Sequence, residues 1–562
     1  MILITLLIDK SLYISEYTTV KHKVLICVIN ILFIIIVPFF INFFAPFSCF
    51  IDNSINNIIR QIKNNKKKII LFSIVNAGIV FICIIMYKLL MNNYEIKGLS
   101  QKILFLCVLL ILINLFYFFR QVAYSRVEIL FSFVAFTIGI TFIIISPNHL
   151  RVSWDDQIHY IRSATVSDLI DNTRYNAEMD YYNSVFYMDG GASDEILDDI
   201  MIKVENEYRQ KINDQRYDAD LGLYSIAYIP AATGMIIGKA LNLSFLHVCM
   251  VARICNLTIY IVIMYFAIKK LKYGKVLLST IGLTTTTLFL ASSFSYDFWV
   301  TAFCYLGFSC YISELQFYDR KIKNSTIILM IISLFLAFLP KAIYFVLLFG
   351  VLFMPKEKFV SKRQHIFYCI LIGVAVALLM LSFIVPMLFT SSIVSDTRGG
   401  GDVNGVGQIK HILNNPLWYI KLLVSFLKDY LNLDNAGGYI SSMAYLGNGN
   451  NTTIILVVIG ILTFLDRDDR KIKMFWVRGA FFISAICTIT LVATALYISF
   501  TPVGNDVILG CQPRYIMPLL FPTLFFLGVN GIKLSINKNV MTIITIGITT
   551  LVFMNNIWLV CI

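Results

Sequence analysis

Runs of about 20 predominantly apolar residues recur from one end of this sequence to the other, each long enough to cross a hydrocarbon core of about 30 Å as a helix. Charged residues make up only 14% of the chain and hydrophobic residues 58%, whereas a soluble domain carries about 25% charged residues. The fold class expected is all-α, a polytopic helical membrane protein, and a soluble enzyme is excluded. A net charge of +13 would suggest nucleic acid in a soluble chain. In a membrane protein it reads as basic cytoplasmic loops, so no nucleic-acid partner is implied. The 12 cysteines lie mostly inside apolar runs and form no C-x-x-C pair, so neither a disulfide framework nor a zinc site is expected.

Spans are read near 24–46, 68–90, 103–119, 128–147, 245–268, 276–294, 298–317, 325–339, 342–355, 366–390, 452–465, 474–498, 515–533 and 540–560, about 14 in all. Between Asn148 and Asp220 no run can span, and 16 acidic residues face 7 basic ones, while the rest of the chain holds 39 basic against 17 acidic. Charge segregated in this way places the 148–220 loop opposite the basic loops, on the extracytoplasmic side. Leu221 to Leu241 contains Tyr224, Tyr228, Pro230, Gly234 and Lys239, which suits a helix lying in the interface better than one that crosses. With that choice the basic turns around Lys272, Lys321, Lys358 and Lys471 all fall inside, although the same parity puts Lys10, Lys21 and Lys23 outside. A second long outward loop runs from 391 to 450, and its Gly399-Gly400-Gly401 marks a flexible turn because no Lys-Ser/Thr follows at phosphate-loop spacing.

The densest chemical constellation is Ser153-Trp154-Asp155-Asp156-Gln157-Ile158-His159-Tyr160-Ile161-Arg162, directly after a span. Two readings fit it. Either the acids form a solvated turn capping the next helix, or they form a general base held just outside the bilayer, with Asp155, Asp156 and His159 as a candidate site for a divalent ion such as Mg or Mn. His159 could equally stack or cap. Arg253 lies about two turns into its span, where an unpaired charge is costly, so a partner is expected in Asp297 or in an acid of the first loop. Thr284 to Thr287 are expected to satisfy backbone or neighbouring helices.

The segment Asp155-Asp156-Gln157-Ile158-His159, with Arg162 following, resembles the Asp-Glu-x-x-His segment of the bacterial DUF2142 membrane proteins. The similarity continues through Val251-Ala252-Arg253-Ile254-Cys255-Asn256, Ser293-Phe294-Ser295-Tyr296-Asp297, Pro340-Lys341-Ala342-Ile343-Tyr344 and Gln512-Pro513-Arg514-Tyr515. It reaches the wider GT-C glycosyltransferases, which place an acidic pair in their first external loop. The chain departs from the pattern with Asp156 in place of Glu, Gln157 in place of Pro, and Pro513 in place of Gly. The resemblance implies a GT-C-like core over 128–533, extra helices in 1–127 and a terminal helix in 534–562. It also implies a bacterial cytoplasmic membrane location with the active site on the outer face.

A sugar carried on a polyprenyl phosphate has its reactive carbon at headgroup level, so its catalyst must lie at the outer ends of helices. Displacement there needs a carboxylate to take the acceptor proton and cations to stabilise the departing phosphate. Asp155 is the expected base, with Asp156 as the second catalytic candidate. Arg514 and Lys341 are the expected phosphate cations, Lys341 having snorkelling at a helix end as its alternative. His159, Arg162, Arg253, Asp297, Tyr344, Gln512 and Tyr515 complete the expected substrate-binding set. The function expected is transfer of a sugar from a polyprenyl-phosphate donor to a cell-envelope glycan or lipid-linked acceptor. A transporter or flippase of lipid-linked saccharides, or a polysaccharide polymerase, is the alternative.

Overall fold

The computed structural model describes residues 66–93, 96, 98–146, 152–170, 222–317, 319–389, 403–447, 449–467, 475–528 and 536–562. The expected span at 24–46, most of the 148–220 loop and the Gly399–Gly401 turn lie outside these residues.

Among the described residues, eight helices are long and apolar enough to cross a membrane: Lys66–Asn93, Leu99–Phe119, Val127–Ile145, Phe245–Lys270, Asp297–Gln316, Lys362–Phe389, Phe475–Ser499 and Lys538–Cys561. Four shorter apolar helices cover Asn324–Phe338, Ala342–Val351, Thr452–Leu465 and Pro513–Leu527. Among the described residues the positions of the expected spans are thus occupied by helices, but the count of about 14 crossings is not reproduced. A crossing needs about 20 residues at 1.5 Å each, and apolar runs interrupted by Pro, Gly or polar turns yield shorter helices. The run at 276–294 is the clearest correction, being two helices, Lys275–Gly282 and Thr285–Ala291. At the break, the Tyr260 hydroxyl donates to the Gly282 carbonyl at 2.7 Å, and Thr284 and Thr287 donate to that of Ile281. Buried side chains thereby satisfy the carbonyls that a continuous helix would have used. Thr285 and Thr286 accept from Asn556 Nδ2 and from the Ser442 backbone N–H, so this threonine run serves neighbouring elements, as expected from its composition.

The Asp297–Gln316 helix is the centre of the bundle, almost wholly enclosed by the Phe245–Lys270, Asn324–Phe338 and Met517–Leu527 helices. Phe245–Lys270 packs in turn on Val127–Ile145 and on the short helix Ile229–Ala240. That short helix follows a 3-10 turn at Leu223–Tyr228 and has only 12 residues, too few to cross. It lies against Phe245–Lys270 through Gly234, where a Cβ would fall 2.5 Å from the Ala252 Cα, so the two backbones touch. After 403, Pro416–Tyr430 buries Tyr419 and Leu422 and exposes Leu417, Ile420 and Val424, with Pro at its first position.

The two ends of the bundle differ in charge. Lys272, Arg320, Lys358 and Arg467 gather at one end, where Lys358 Nζ donates to the Phe317 and Arg320 carbonyls and lies 3.5 Å from Glu314, and Arg320 meets Glu314 at 2.9 Å. Asp466 joins that end by accepting from the Val276 and Leu277 backbone N–H groups at 2.6 and 3.1 Å. The Asp155 segment lies at the opposite end.

Candidate functional site

At that opposite end the turn preceding Asp156–Ser167, the start of Asp297–Gln316, the turn after Asn324–Phe338 and the strap before Met517–Leu527 converge. Asp155 occupies the position before the Asp156–Ser167 helix in the left-handed region, with φ at 55°. Asp and Asn enter this region more readily than most residues, and a non-glycine held there is a sign of constraint from its surroundings. Its backbone carbonyl accepts from the N–H groups of Ile158 and His159 at 2.9 and 3.0 Å, but its side chain does not cap the helix. The carboxylate turns outward instead and accepts from Arg514 Nη2 at 3.0 Å. Of the two sequence readings for Asp155, the capping turn is therefore not what this side chain does.

Arg514 is the hub. Its Nη1 lies 3.2 Å from Asp297 Oδ2 and donates to the Trp154 carbonyl at 3.3 Å, while the guanidinium sits 5.1 Å above the Trp154 ring. The planar fork explains how one side chain serves two carboxylates and a carbonyl, which an ammonium could not do in fixed directions. Asp297 is shared, because Lys341 Nζ donates to its Oδ1 at 2.5 Å and Ser295 Oγ to its Oδ2 at 3.1 Å. Lys341 also lies 4.2 Å above the Tyr515 ring and 5.3 Å above that of Tyr296. Its ammonium is thus turned into this cluster, which does not match the snorkelling alternative. Arg514 and Asp297 are nearly buried, at 4% and 7% side-chain exposure, whereas Asp155 keeps 26%. Asp155 is the carboxylate of this circuit that a ligand can reach.

Asp156 corrects the expectation of a second catalytic carboxylate. It is fully buried, faces the other way, and accepts from the Phe294 N–H at 3.1 Å and from Arg253 Nη2 at 3.5 Å. Burial pushes its pKa up to about 6, with Arg253 pulling the other way. Arg253 has therefore found its partner in the first loop, and this pair ties the Asp156–Ser167 helix to the Phe245–Lys270 helix. Among the described residues no three His, Cys, Asp or Glu side chains are placed to hold a metal ion. The proposed set Asp155, Asp156 and His159 is not gathered, because adjacent residues at a left-handed turn send the two carboxylates to different guanidinium groups.

His159 is buried, 2.9 Å from the Tyr228 hydroxyl through Nδ1 and edge-on to Tyr296 at 4.9 Å. Burial and the nearby Arg514 charge hold its pKa down at about 3, so the ring is neutral. Arg162 lies 5.1 Å above the Tyr224 ring and acts electrostatically on the Tyr228 hydroxyl. Tyr344 donates to the Tyr515 carbonyl at 2.7 Å and Tyr430 to that of Gln512 at 2.8 Å, so Tyr344 and Tyr430 brace the strap that carries Gln512, Arg514 and Tyr515. Tyr228, Tyr296, Trp154 and Tyr430 were not among the site residues expected from sequence. Tyr228 carried a signal in the aromatic 221–241 segment, Trp154 lies in the Ser153–Arg162 constellation, and Tyr296 lies inside a resemblance motif. Tyr430 carried none.

The sequence profile of the family described as "Predicted membrane protein (DUF2142)" matches residues 198–523, more than half of the chain. Arg253, Asp297, Lys341 and Arg514 fall within the matched region and Asp155, Asp156, His159 and Arg162 before it. No curated protein and no solved structure matches the chain.

Proposed function

The chain belongs to the DUF2142 family of predicted membrane proteins, and on that premise we propose that it is a GT-C-like glycosyltransferase using a polyprenyl-phosphate sugar at the outer face of the membrane. The observation that carries this reading is the circuit Asp155–Arg514–Asp297–Lys341, with its one accessible, half-buried carboxylate at the end of the bundle opposite the basic loops. In the proposed reaction the acceptor hydroxyl oxygen bonds to the anomeric carbon as the carbon–oxygen bond to phosphate breaks. The hydroxyl proton passes to Asp155, and the electron pair leaves on the phosphate, whose charge Arg514 and Lys341 stabilise. Direct displacement inverts the anomeric carbon. Asp156 and Arg253 hold the loop and take no part in the chemistry.

The broken Lys275–Ala291 stretch supports a second reading, a transporter or flippase of lipid-linked saccharides, since interrupted helices mark transporter binding sites. Purified protein in liposomes, supplied with radiolabelled polyprenyl-phosphate sugars and extracted cell-envelope acceptors, separates the two. Conversion of the donor to glycosylated acceptor and free polyprenyl phosphate supports transfer. Movement of intact donor between leaflets without conversion rejects it in favour of transport.

A further inference from the structure

We propose that His159 serves the site as a neutral Nε2–H donor to a phosphate oxygen of the ligand, and that Tyr228, backed by Arg162, is the positioning residue that fixes it in that form. The ligand class rests on the lipid-phosphate reading above; the tautomer does not.

The proton positions follow from the charges around the tyrosine. The Arg162 guanidinium acts electrostatically on the Tyr228 hydroxyl, and a cation that has donors and no acceptor draws the oxygen lone pairs toward itself and turns the hydroxyl hydrogen away. The hydroxyl hydrogen then points to its other neighbour, His159 Nδ1, 2.9 Å away. A neutral imidazole that accepts at Nδ1 carries its proton on Nε2. Tyr296, edge-on to the ring at 4.9 Å, opposes rotation away from this arrangement. His159 Nε2 is buried and has no hydrogen-bond partner among the described residues, although the residue is only 5% exposed. A buried donor left unpaired is costly, and one held in a fixed tautomer beside a catalytic cluster is suited to a group that arrives with the ligand.

The surroundings select the chemistry of that group. Arg514 and Arg162 both act on the imidazole electrostatically, so an anionic oxygen is favoured there over another donor. Asp155 and Asp297, which also act on the ring, are engaged by Arg514 and Lys341. A neutral donor adds a directed hydrogen bond to a phosphate without adding a further cation to repel Arg514. The same tautomer withholds the Nε2 lone pair from a metal ion.

The test is nitrogen NMR on the full-length protein, labelled with ¹⁵N-histidine and reconstituted in phosphatidylcholine nanodiscs. The chain has 6 histidines, and the signal lost in His159→Gln assigns the ring. The expected spectrum shows a protonated Nε2 and an unprotonated, hydrogen-bonded Nδ1; in Tyr228→Phe the Nδ1 signal changes and the fixed tautomer is lost. A wild-type ring protonated on Nδ1, or on both nitrogens, overturns the assignment without involving catalysis. Addition of a polyprenyl phosphate in the nanodisc, and separately of inorganic phosphate, tests the ligand. Movement of the Nε2 resonance in the first arm alone identifies the lipid as the source, and movement in both identifies phosphate as sufficient. No movement in either arm overturns the donor role. A responsive Nε2 in a protein that transfers no sugar leaves this inference standing and removes the glycosyltransferase reading alone.

Discussion

Arg514 and Asp155, 359 residues apart in the chain, meet at 3.0 Å where a late strap crosses the first turn after the Val127–Ile145 helix. Base and leaving-group cation have to flank one sugar carbon, so the proposed displacement needs the two as neighbours that part when the sugar phosphate seats between them. Asp155→Asn keeps the size of the side chain and removes its basicity. Turnover on a lipid-phosphate sugar is expected to fall by about 100-fold or more, with donor binding retained. Unimpaired transfer by this variant would remove Asp155 from the chemistry.

Replacing the cation tests the other half of the pair. Arg514→Lys keeps the charge but cannot bridge Asp155, Asp297 and the Trp154 carbonyl together, so a partial loss of turnover is expected. Arg514→Ala should raise the donor dissociation constant as well as slow turnover. Equal donor affinities for wild type and Arg514→Ala, measured by titration with a non-transferable analogue, count against phosphate binding at this position.

The buried pair behind the site gives a pH signature. The folded-state pKa of Asp156, about 6, stands above the value of about 3.9 for an unfolded carboxyl. The folded state therefore binds the extra proton between those values, and this group adds stability as pH falls through 6. His159 acts in the opposite sense. Its pKa of about 3 lies below the unfolded value, so its contribution is complete above about pH 6.5 and is lost on acidification. Comparing wild type with Asp156→Asn isolates the first effect. The thermal midpoint of wild type relative to the variant should rise between about pH 7.5 and about pH 5. A constant difference between the two proteins means that Asp156 titrates like an exposed carboxyl.

Backbone contact between the Ile229–Ala240 and Phe245–Lys270 helices predicts a sharp local intolerance. A methyl group on Gly234 would meet the Ala252 Cα at 2.5 Å and the Val251 carbonyl at 2.7 Å, whereas one on Gly460 meets nothing within 4 Å. Gly234→Ala should destabilise by about 1–3 kcal/mol through overpacking. Gly460→Ala should be neutral or stabilising by up to about 1 kcal/mol through helix propensity. Thermal midpoints in detergent that rank the two variants the other way contradict the packing.

Orientation in the membrane is open to direct measurement. In a cysteine-free background, an impermeant thiol reagent applied to intact cells should modify Glu195→Cys and spare Lys272→Cys, because the basic loops belong inside. The reverse pattern would place the Asp155 cluster on the cytoplasmic face and reject an extracytoplasmic active site.

Much of this architecture is legible in the sequence, for identifiable reasons. Apolar runs mark helices because lipid leaves the backbone no other partner, and the shortness of the helix within 221–241 is signalled by its Tyr, Pro and Gly content. Helix length is less legible. The Lys275–Ala291 run reads as one span because its break depends on Tyr260, a residue on another helix, meeting the Gly282 carbonyl. In the site, the meeting of Asp155 and Arg514 could be argued from topology, since both fall at the same ends of their spans. The separation of Asp155 from Asp156 could not, because it rests on one left-handed φ angle that a two-residue acidic pair does not announce.

The pairing of every charge in the Asp155–Arg514–Asp297–Lys341 circuit bears on the order of events during a turnover. Arg514 is already bound to Asp155, so an arriving phosphate has to compete with an internal carboxylate. Where Arg514 Nη2 turns from Asp155 to the phosphate, the released carboxylate becomes more basic as its cation is drawn away. For the proposed transfer this implies a donor-first sequence: the acceptor hydroxyl would meet a competent base only after the sugar phosphate had seated, and water entering an empty site would find Asp155 held in check.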